Sequence, residues 1–515
     1  MTPASHGSDN PAHASGVPAS GTSGGGASGG VASGGGALAG QRLHFVGVGG
    51  CGMSGLARIA RQEGAVVTGS DRAPSDTTAA LMAEGVDVSF DQSGAAVPAE
   101  LDGLVASAAI PQDHGEVQAA AGQGVEVVKY AQMLGRLMQA RHGVAVAGTH
   151  GKSTTTSLLC HTLLSCGLDP SFIVGAHCRQ IGGGARVGAS DLLVAEACEY
   201  DRSFHHLRPT RAVVLNLEAD HLDYYAGLDE IVESFAHFAQ LLPPDGSLLM
   251  HHDSPHRMAV TAGLDAHVET IGFAPQADWR VECLASGGWD LGGGRISDRR
   301  GVRLYHHGQP VAAWRSPMPG EHMDYNAACA AVLAHGLGAD WHGVAQAVEA
   351  FQGLDRRMQH LGYADADQSV PVIDDYGHHP TEVDTTLRAL RRHYQPERLI
   401  CVFQPHQHSR TRFLLEQFAV SFAEADVVLV PEIYFVRDSE HDRQSVTATD
   451  LVNRLRATGV HAAHVDPLEA LADQLAAMVR PGDLVVTMGA GDVWTVAHKL
   501  AQQGAAATGE QPRVA

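Results

Sequence analysis

Residues 144–156, VAVAGTHGKSTTT, leave this chain few ways to fold. A short apolar run of β-forming residues meets Gly148-Thr149-His150-Gly151-Lys152-Ser153-Thr154 and then a segment that reads as helix. That order builds a phosphate cradle. Glycines let backbone N–H groups close on phosphate oxygens, and the helix N-terminus adds its positive dipole end. Lys152 is the candidate for the β- and γ-phosphates, and the Ser153 hydroxyl for Mg²⁺. The helix has Leu158, Leu159, Leu163 and Leu164 on its apolar side, with Gly167 and Pro170 as stop signals. Val146 stands where the full phosphate-loop pattern has glycine, so only the shorter G-x-x-G-K-S is present. A plain strand–turn–helix is the alternative reading.

A second glycine turn lies upstream. Leu43–Val46 reads as a strand and runs into Gly47, Gly49, Gly50 and Gly52, followed by Met53. Gly47, Gly49 and Gly52 satisfy G-x-G-x-x-G, and Ser70-Asp71 follows the next strand, Val66–Thr68. This is the dinucleotide-binding fingerprint in its expected context, open to NAD or to another phosphate-bearing ligand. Strands near 103–107 and 125–128 complete a small α/β unit.

With 515 residues the chain is too long for one core and divides into several domains. The net charge of −22, with no basic block against it, excludes a nucleic-acid or anionic-membrane role. The eight cysteines show no C-x-x-C spacing, which fits a reducing cytoplasm rather than a zinc site or disulfide framework. No apolar run is long enough for a membrane span, and the N-terminus lacks signal-peptide features. Residues 1–40 are Gly, Ser, Ala and Pro with almost no large apolar side chain, and read as a disordered tail.

Two further strands should end beside the phosphate loop. Leu192–Ala195 runs into Glu196, and Ala212–Asn216 runs into Glu218-Ala219-Asp220-His221. Ligands in open α/β sheets sit outside the carboxyl ends of strands, so Glu196 and His221 join Ser153 as candidate Mg²⁺ ligands. A surface His beside acidic residues is the rival reading, with Asp220 and Asp223 as solvated charges. After Gly320, Asn326 opens a small-residue helix, and a boundary falls near Gly353. The last part repeats the alternation, with strands near 372–373, 399–403, 427–430 and 484–488. Two polar clusters follow strands there: Asp374–Pro380, with Pro380 placed for a first helical turn, and Gln404–Arg412.

In order, GVGGCGMSGLA, GTHGKSTT, EACEYD, NLEADHLD, NAACAA, FQGLDRR, DDYGHHPTEV, QPHQHSRTR and GAGD resemble the Mur ligases over about residues 41–500. The resemblance implies an α/β protein of three domains. These are a Rossmann-like UDP-sugar domain over 41–139, a central P-loop-type ATPase over 140–353 and a Rossmann-like C-terminal lobe over 354–508. It turns the first glycine fingerprint toward UDP-N-acetylmuramate. It also implies ATP-dependent joining of L-alanine to the lactyl carboxylate of that sugar through an acyl phosphate. By family position Asn326 meets adenine, Arg357 the phosphates and Asp375 the ribose, while His378 and Arg410, with Arg412, lie near the amino acid. The chain departs from the family pattern at Cys198, Tyr200, Met323 and Gln407, the last replacing an Arg that helps hold the amino-acid carboxylate. Rival readings are a Mur-type ligase adding another amino acid or a preformed peptide, a non-catalytic nucleotide-binding homologue and an NAD-dependent dehydrogenase.

Overall fold

In a computed structural model, which describes residues 36–284 and 300–508, the strands gather into three sheets. The first is parallel throughout, in the order Asp87–Ser89, Val66–Ser70, Arg42–Val46, Gly103–Ala106, Val127–Lys129. The strand carrying the first glycine turn is therefore central, and the helix Cys51–Gln62 leaves from its carboxyl end. Most of the tail expected over 1–40 lies outside the described residues. Its last part is ordered: Leu38 is buried and donates its N–H to Glu63 O at 3.1 Å.

The second sheet has ten strands. At its heart Arg211–Val214, His142–Ala147 and Leu192–Ala197 run parallel, so the chain leaves all three at the same edge. Beyond the parallel part the sheet continues through an antiparallel ribbon, Trp279–Leu284, Gly301–His306 and Gln309–Arg315. That ribbon is not among the strands expected from the sequence. The helix Lys152–Ser165 differs from the expected amphipathic helix: every residue from Ser153 to Leu163 is buried. The sheet covers one side, and the helices Glu321–Gly336 and Trp341–Ala350 cover the others. Alanines at 327, 328, 330, 331 and 334 permit that close approach. That helix begins at Glu321, before the Asn326 start read from the sequence.

The third sheet runs Gln359–Tyr363, Pro371–Asp375, Asp483–Met488, Arg398–Phe403, Val427–Val430, Ala462–His464, antiparallel only at its first strand. Pro380 occupies the first turn of the helix Pro380–Tyr394, as its fixed φ and missing N–H favour. One buried apolar cluster joins the second sheet to the third, and another joins the first to the second. Among the described residues no helix is long and apolar enough to cross a membrane.

Candidate active site

The phosphate loop hangs on the turn after the neighbouring strand. Thr149 N–H donates to Asn216 O at 3.2 Å and His150 N–H to Asn216 Oδ1 at 2.7 Å. The Asn216 amide returns a hydrogen bond to His150 O at 3.0 Å. Gly151, at φ 83°, supplies the left-handed residue that starts the helix. A Cβ there would fall 2.8 Å from Asn326 Oδ1. Asn326 is thus buried against the phosphate loop. Met323, one position where the family pattern is broken, is buried in the core.

Lys152 Nζ lies 2.8 and 3.0 Å from the Glu199 carboxylate oxygens and donates to Gly148 O and Thr149 O. Burial opposes the lysine's charge, but Glu199 outweighs it and raises the pKa. For Glu199, likewise, burial is outweighed by Lys152 and its carboxyl is held low. Sequence reasoning missed Glu199. It lay inside the quoted EACEYD stretch, where attention went to the departures on either side.

Ser153 Oγ donates to Glu196 Oε2 at 3.1 Å, and Gly175 N–H donates to the other oxygen of Glu196. Burial pushes the Glu196 carboxyl up. Two adjacent oxygen donors, one of them a carboxylate whose charge is costly without a cation, suit Mg²⁺. His221 Nε2 lies 3.5 Å from Glu199 Oε1, its ring meets Tyr200 edge-on at 5.0 Å, and its backbone is left-handed at φ 55°. Of the three residues expected around Mg²⁺, Ser153 and Glu196 are in direct contact, and His221 lies beside the lysine's counter-ion.

The third-sheet lobe covers the loop through buried charge. Arg410 Nε and Nη2 lie 3.0 and 2.9 Å from Asp220 Oδ1, while Nη1 donates to Gln407 Oε1 at 3.0 Å. Asp220 is therefore no solvated charge; burial opposes its ionisation, and Arg410 outweighs that and holds its carboxyl far below the usual range. Arg410 spends its fork on the protein rather than presenting it openly to a carboxylate. Arg412 is turned away, 3.5 Å from Asp442 and stacked on Phe413. His378 stays neutral, its pKa pushed down to about 3 by burial and by Arg410.

Glu382, unassigned from the sequence, is the hub of this junction. It closes a capping box with His379, accepts from His378 N–H at 2.9 Å, and lies 3.3 Å from His150 Nδ1 and 3.6 Å from Arg357 Nη1. Burial works against the His150 charge, yet Glu382 and then Glu218 hold its pKa at about 10. Arg357 lines a cleft of about 2220 Å³ with Asn216, His251, Phe273, His322 and Tyr325, and its charge is felt at Glu196. Asp375 is not in that cleft. Its carboxylate accepts the N–H groups of Met358 and Gly377, both at 2.8 Å, and burial pushes its pKa up to about 6. It thereby fixes the backbone next to Arg357.

The first glycine turn is built differently. Gly47 and Val48 N–H groups donate to Ser70 O, and Gly49 N–H donates to Asp71 Oδ2 at 2.8 Å. A Cβ on Gly49 would lie 2.9 Å from that carboxylate, and one on Gly52 would lie 3.0 Å from the Tyr130 ring. The Ser70 and Met53 side chains are buried. The Ser70 hydroxyl is buried on Glu116 Oε2 at 2.7 Å, and Met53 is in the core. Gly50 caps the helix Cys51–Gln62 with no side-chain hydrogen bond, so any phosphate here meets backbone.

Comparison with known proteins agrees along the whole ordered chain. Three Mur ligase family profiles match: the catalytic domain at residues 42–142, the middle domain at 146–334 and the glutamate ligase domain at 356–491. The UDP-N-acetylmuramate–L-alanine ligase of Caldanaerobacter subterraneus subsp. tengcongensis is 36% identical over 467 residues, covering 90% of this chain and 98% of that one. The Geobacter sp. protein of the same name is 37% identical over 461 residues, 89% and 97% of the two chains. Among solved structures, UDP-N-acetylmuramate–alanine ligase from Thermotoga maritima superposes with a TM-score of 0.70 at 23% identity, over 90% of this chain and 98% of that one. A murein peptide ligase from Psychrobacter arcticus gives 0.63 at 24%, over 92% and 100%. At those identities the structural likenesses speak to the fold alone.

Proposed function

The chain belongs to the Mur ligase family, and we propose that its reaction is the ATP-dependent joining of L-alanine to the lactyl carboxylate of UDP-N-acetylmuramate, in the cytoplasm, as a step of peptidoglycan synthesis. The observation that carries this reading is relatedness at 36–37% to alanine-adding ligases over nearly their whole length. The domains are read as 41–139 for the UDP-sugar, 140–353 for ATP and 354–508 for the closing lobe.

The reaction brings two anions together, a carboxylate and a triphosphate, and must offset their repulsion. Lys152, held by the carbonyls of its own loop, meets the β- and γ-phosphates, with Gly148, Thr149, His150, Gly151 and Thr154 framing them. Arg357 approaches from the other lobe. Preorganised charge of this kind stabilises a transferring phosphoryl group without reorganisation. Mg²⁺ is read at Ser153 and Glu196, where it supplies charge neutralisation of the phosphate oxygens. The first turn, with Gly47, Gly49, Gly50 and Gly52 and with Asp71 fixing its backbone, orients the UDP-sugar. His378, held neutral by burial and by Arg410, is read as the group that meets the incoming amine.

A second reading, attachment of a preformed peptide, is favoured by Gln407, which puts an amide where a second guanidinium would hold a free amino-acid carboxylate. Phosphate release from ATP with UDP-N-acetylmuramate, measured with alanine, serine, glycine and a tripeptide, decides between them. Alanine as the preferred acceptor is expected. Stimulation by the tripeptide alone establishes the second reading, and release with none of the four overturns both.

A further inference from the structure

His150, Glu218 and His379 meet where the phosphate loop, the turn after Arg211–Val214 and the cap of the helix Pro380–Tyr394 converge. One ligand atom from each lies within 4.8 Å of the other two. Glu218 Oε2 is 3.6 Å from His150 Nε2 and 3.8 Å from His379 Nδ1. A tetrahedron with bonds of about 2.0–2.1 Å has edges of about 3.3 Å, so small side-chain movements complete it.

The outer atoms leave His150 Nε2 and His379 Nδ1 turned toward Glu218. His150 turns Nδ1 to Glu382 Oε1 at 3.3 Å, and His379 donates Nε2–H to Ala219 O at 3.2 Å. A carboxylate or carbonyl behind each histidine is how metal-bound imidazoles are oriented. His150 Nε2 is buried with no hydrogen-bond partner. His379 Nδ1 faces Glu218 and accepts backbone N–H at the start of its helix, Thr381 N–H at 3.3 Å among them. None of the three side chains is needed for the Mg²⁺ pair at Ser153 and Glu196.

We propose that His150, Glu218 and His379 bind one zinc-class divalent ion that staples the third-sheet lobe to the phosphate loop. Two imidazole nitrogens and one carboxylate oxygen suit Zn²⁺ rather than Mg²⁺, and a water fills the fourth position. The ion takes the place of a proton on His150 Nε2, which leaves to solvent.

The test uses the full chain without substrates, in saturating Mg²⁺, so it stands whether or not the ligase reading does. Zn²⁺ is titrated against a chromogenic chelator, and Co²⁺ is followed by its visible absorption. The expected result is one tightly held ion per chain, with a four-coordinate Co²⁺ spectrum and a higher Tm. Glu218→Gln and His379→Gln each weaken that binding at least tenfold and abolish the Tm rise. Because His379 also caps a helix, a His379→Gln chain that fails to fold leaves Glu218→Gln to carry the test. Glu196→Gln and the double change His306→Ala, His307→Ala, which removes the other His/Glu cluster, at Glu269, leave the tight ion in place. Unchanged binding in Glu218→Gln, or loss of the tight ion in either control, overturns the proposal.

Discussion

The chain uses the strand–glycine–helix turn twice, and the two copies share little beyond backbone. Around residues 47–52 the polar atoms look inward: Ser70 onto Glu116, Asp71 onto Gly49 N–H. The helix there starts without a charged residue in its first turn, and Cys51 at its head touches Val174 O of the neighbouring sheet. Around residues 148–153 the loop is ringed by buried charge: Lys152 with Glu199, and His150 between Glu218 and Glu382. Those carboxylates come from strand ends and from the other lobe. The same local geometry thus serves two ends. In the proposed reaction a turn made of backbone orients the phosphate-bearing sugar, whereas chemistry on a phosphate requires charge brought in from distant sequence.

The sharpest break should come where the second turn is roofed. Arg410→Ala strands the buried Asp220 carboxylate, and losing one partner of such a pair costs about 3–5 kcal/mol. Denaturant melts at neutral pH should show the loss. The pH dependence follows from Asp220, whose carboxyl is held low in the folded state. Its stabilisation is fully present above the ordinary carboxylate pKa of about 4 and is lost as pH falls toward the folded value. Parent and variant melts should therefore converge in acid, and a gap that stays constant down to acid denaturation removes the pair from the account.

Next in size, Lys152→Ala should lower kcat by about 10²–10³. The structure adds that it also leaves Glu199 buried without its main partner, so a fall in Tm accompanies the lost turnover. Turnover within a few-fold of the parent contradicts the central assignment. A smaller effect is expected at the first turn, where Gly49→Ala drives a methyl against Asp71 and Thr78. KM for the UDP-sugar should rise about tenfold, a loss of ~1.4 kcal/mol, with KM for ATP unmoved. If both constants rise together, the two turns are not separable. The smallest effect belongs to Glu196→Gln. Burial disfavours the charge of this carboxyl, so the neutral amide should leave Tm unchanged or slightly higher while the Mg²⁺ needed for half-maximal rate climbs several-fold. An unaltered Mg²⁺ titration returns Glu196 to a structural role.

Both turns were legible because each is local: strand, glycines and helix start lie within a dozen residues, and their spacing carries the physics. The three-sheet α/β organisation was legible for a similar reason, as apolar runs alternated with helical segments. Contacts over long separation were not. Nothing near Asp220 in sequence announces Arg410, and Glu382 becomes a hub only when its helix cap meets the loop at His150. Side-chain direction was equally hidden. Ser70, Met53, Asp375 and Arg412 occupy the expected backbone positions, but three face inward and one faces Asp442. The antiparallel ribbon after 279 turns at His307-Gly308, both left-handed, and His-Gly is a weaker hairpin signal than Asn-Gly or Asp-Gly.

The helix that follows the phosphate loop has no face left for water, and this bears on how the protein is made. A helix buried on every side gains almost nothing until each of its covers exists. One cover, Glu321–Gly336, is translated long after Lys152. During synthesis the leucines of Lys152–Ser165 therefore wait beside an unfinished sheet, and the loop cannot take its shape until the ribosome has passed Gly336. A fragment ending before Glu321 should accordingly collect on chaperones or aggregate, however complete its glycine loop looks on paper.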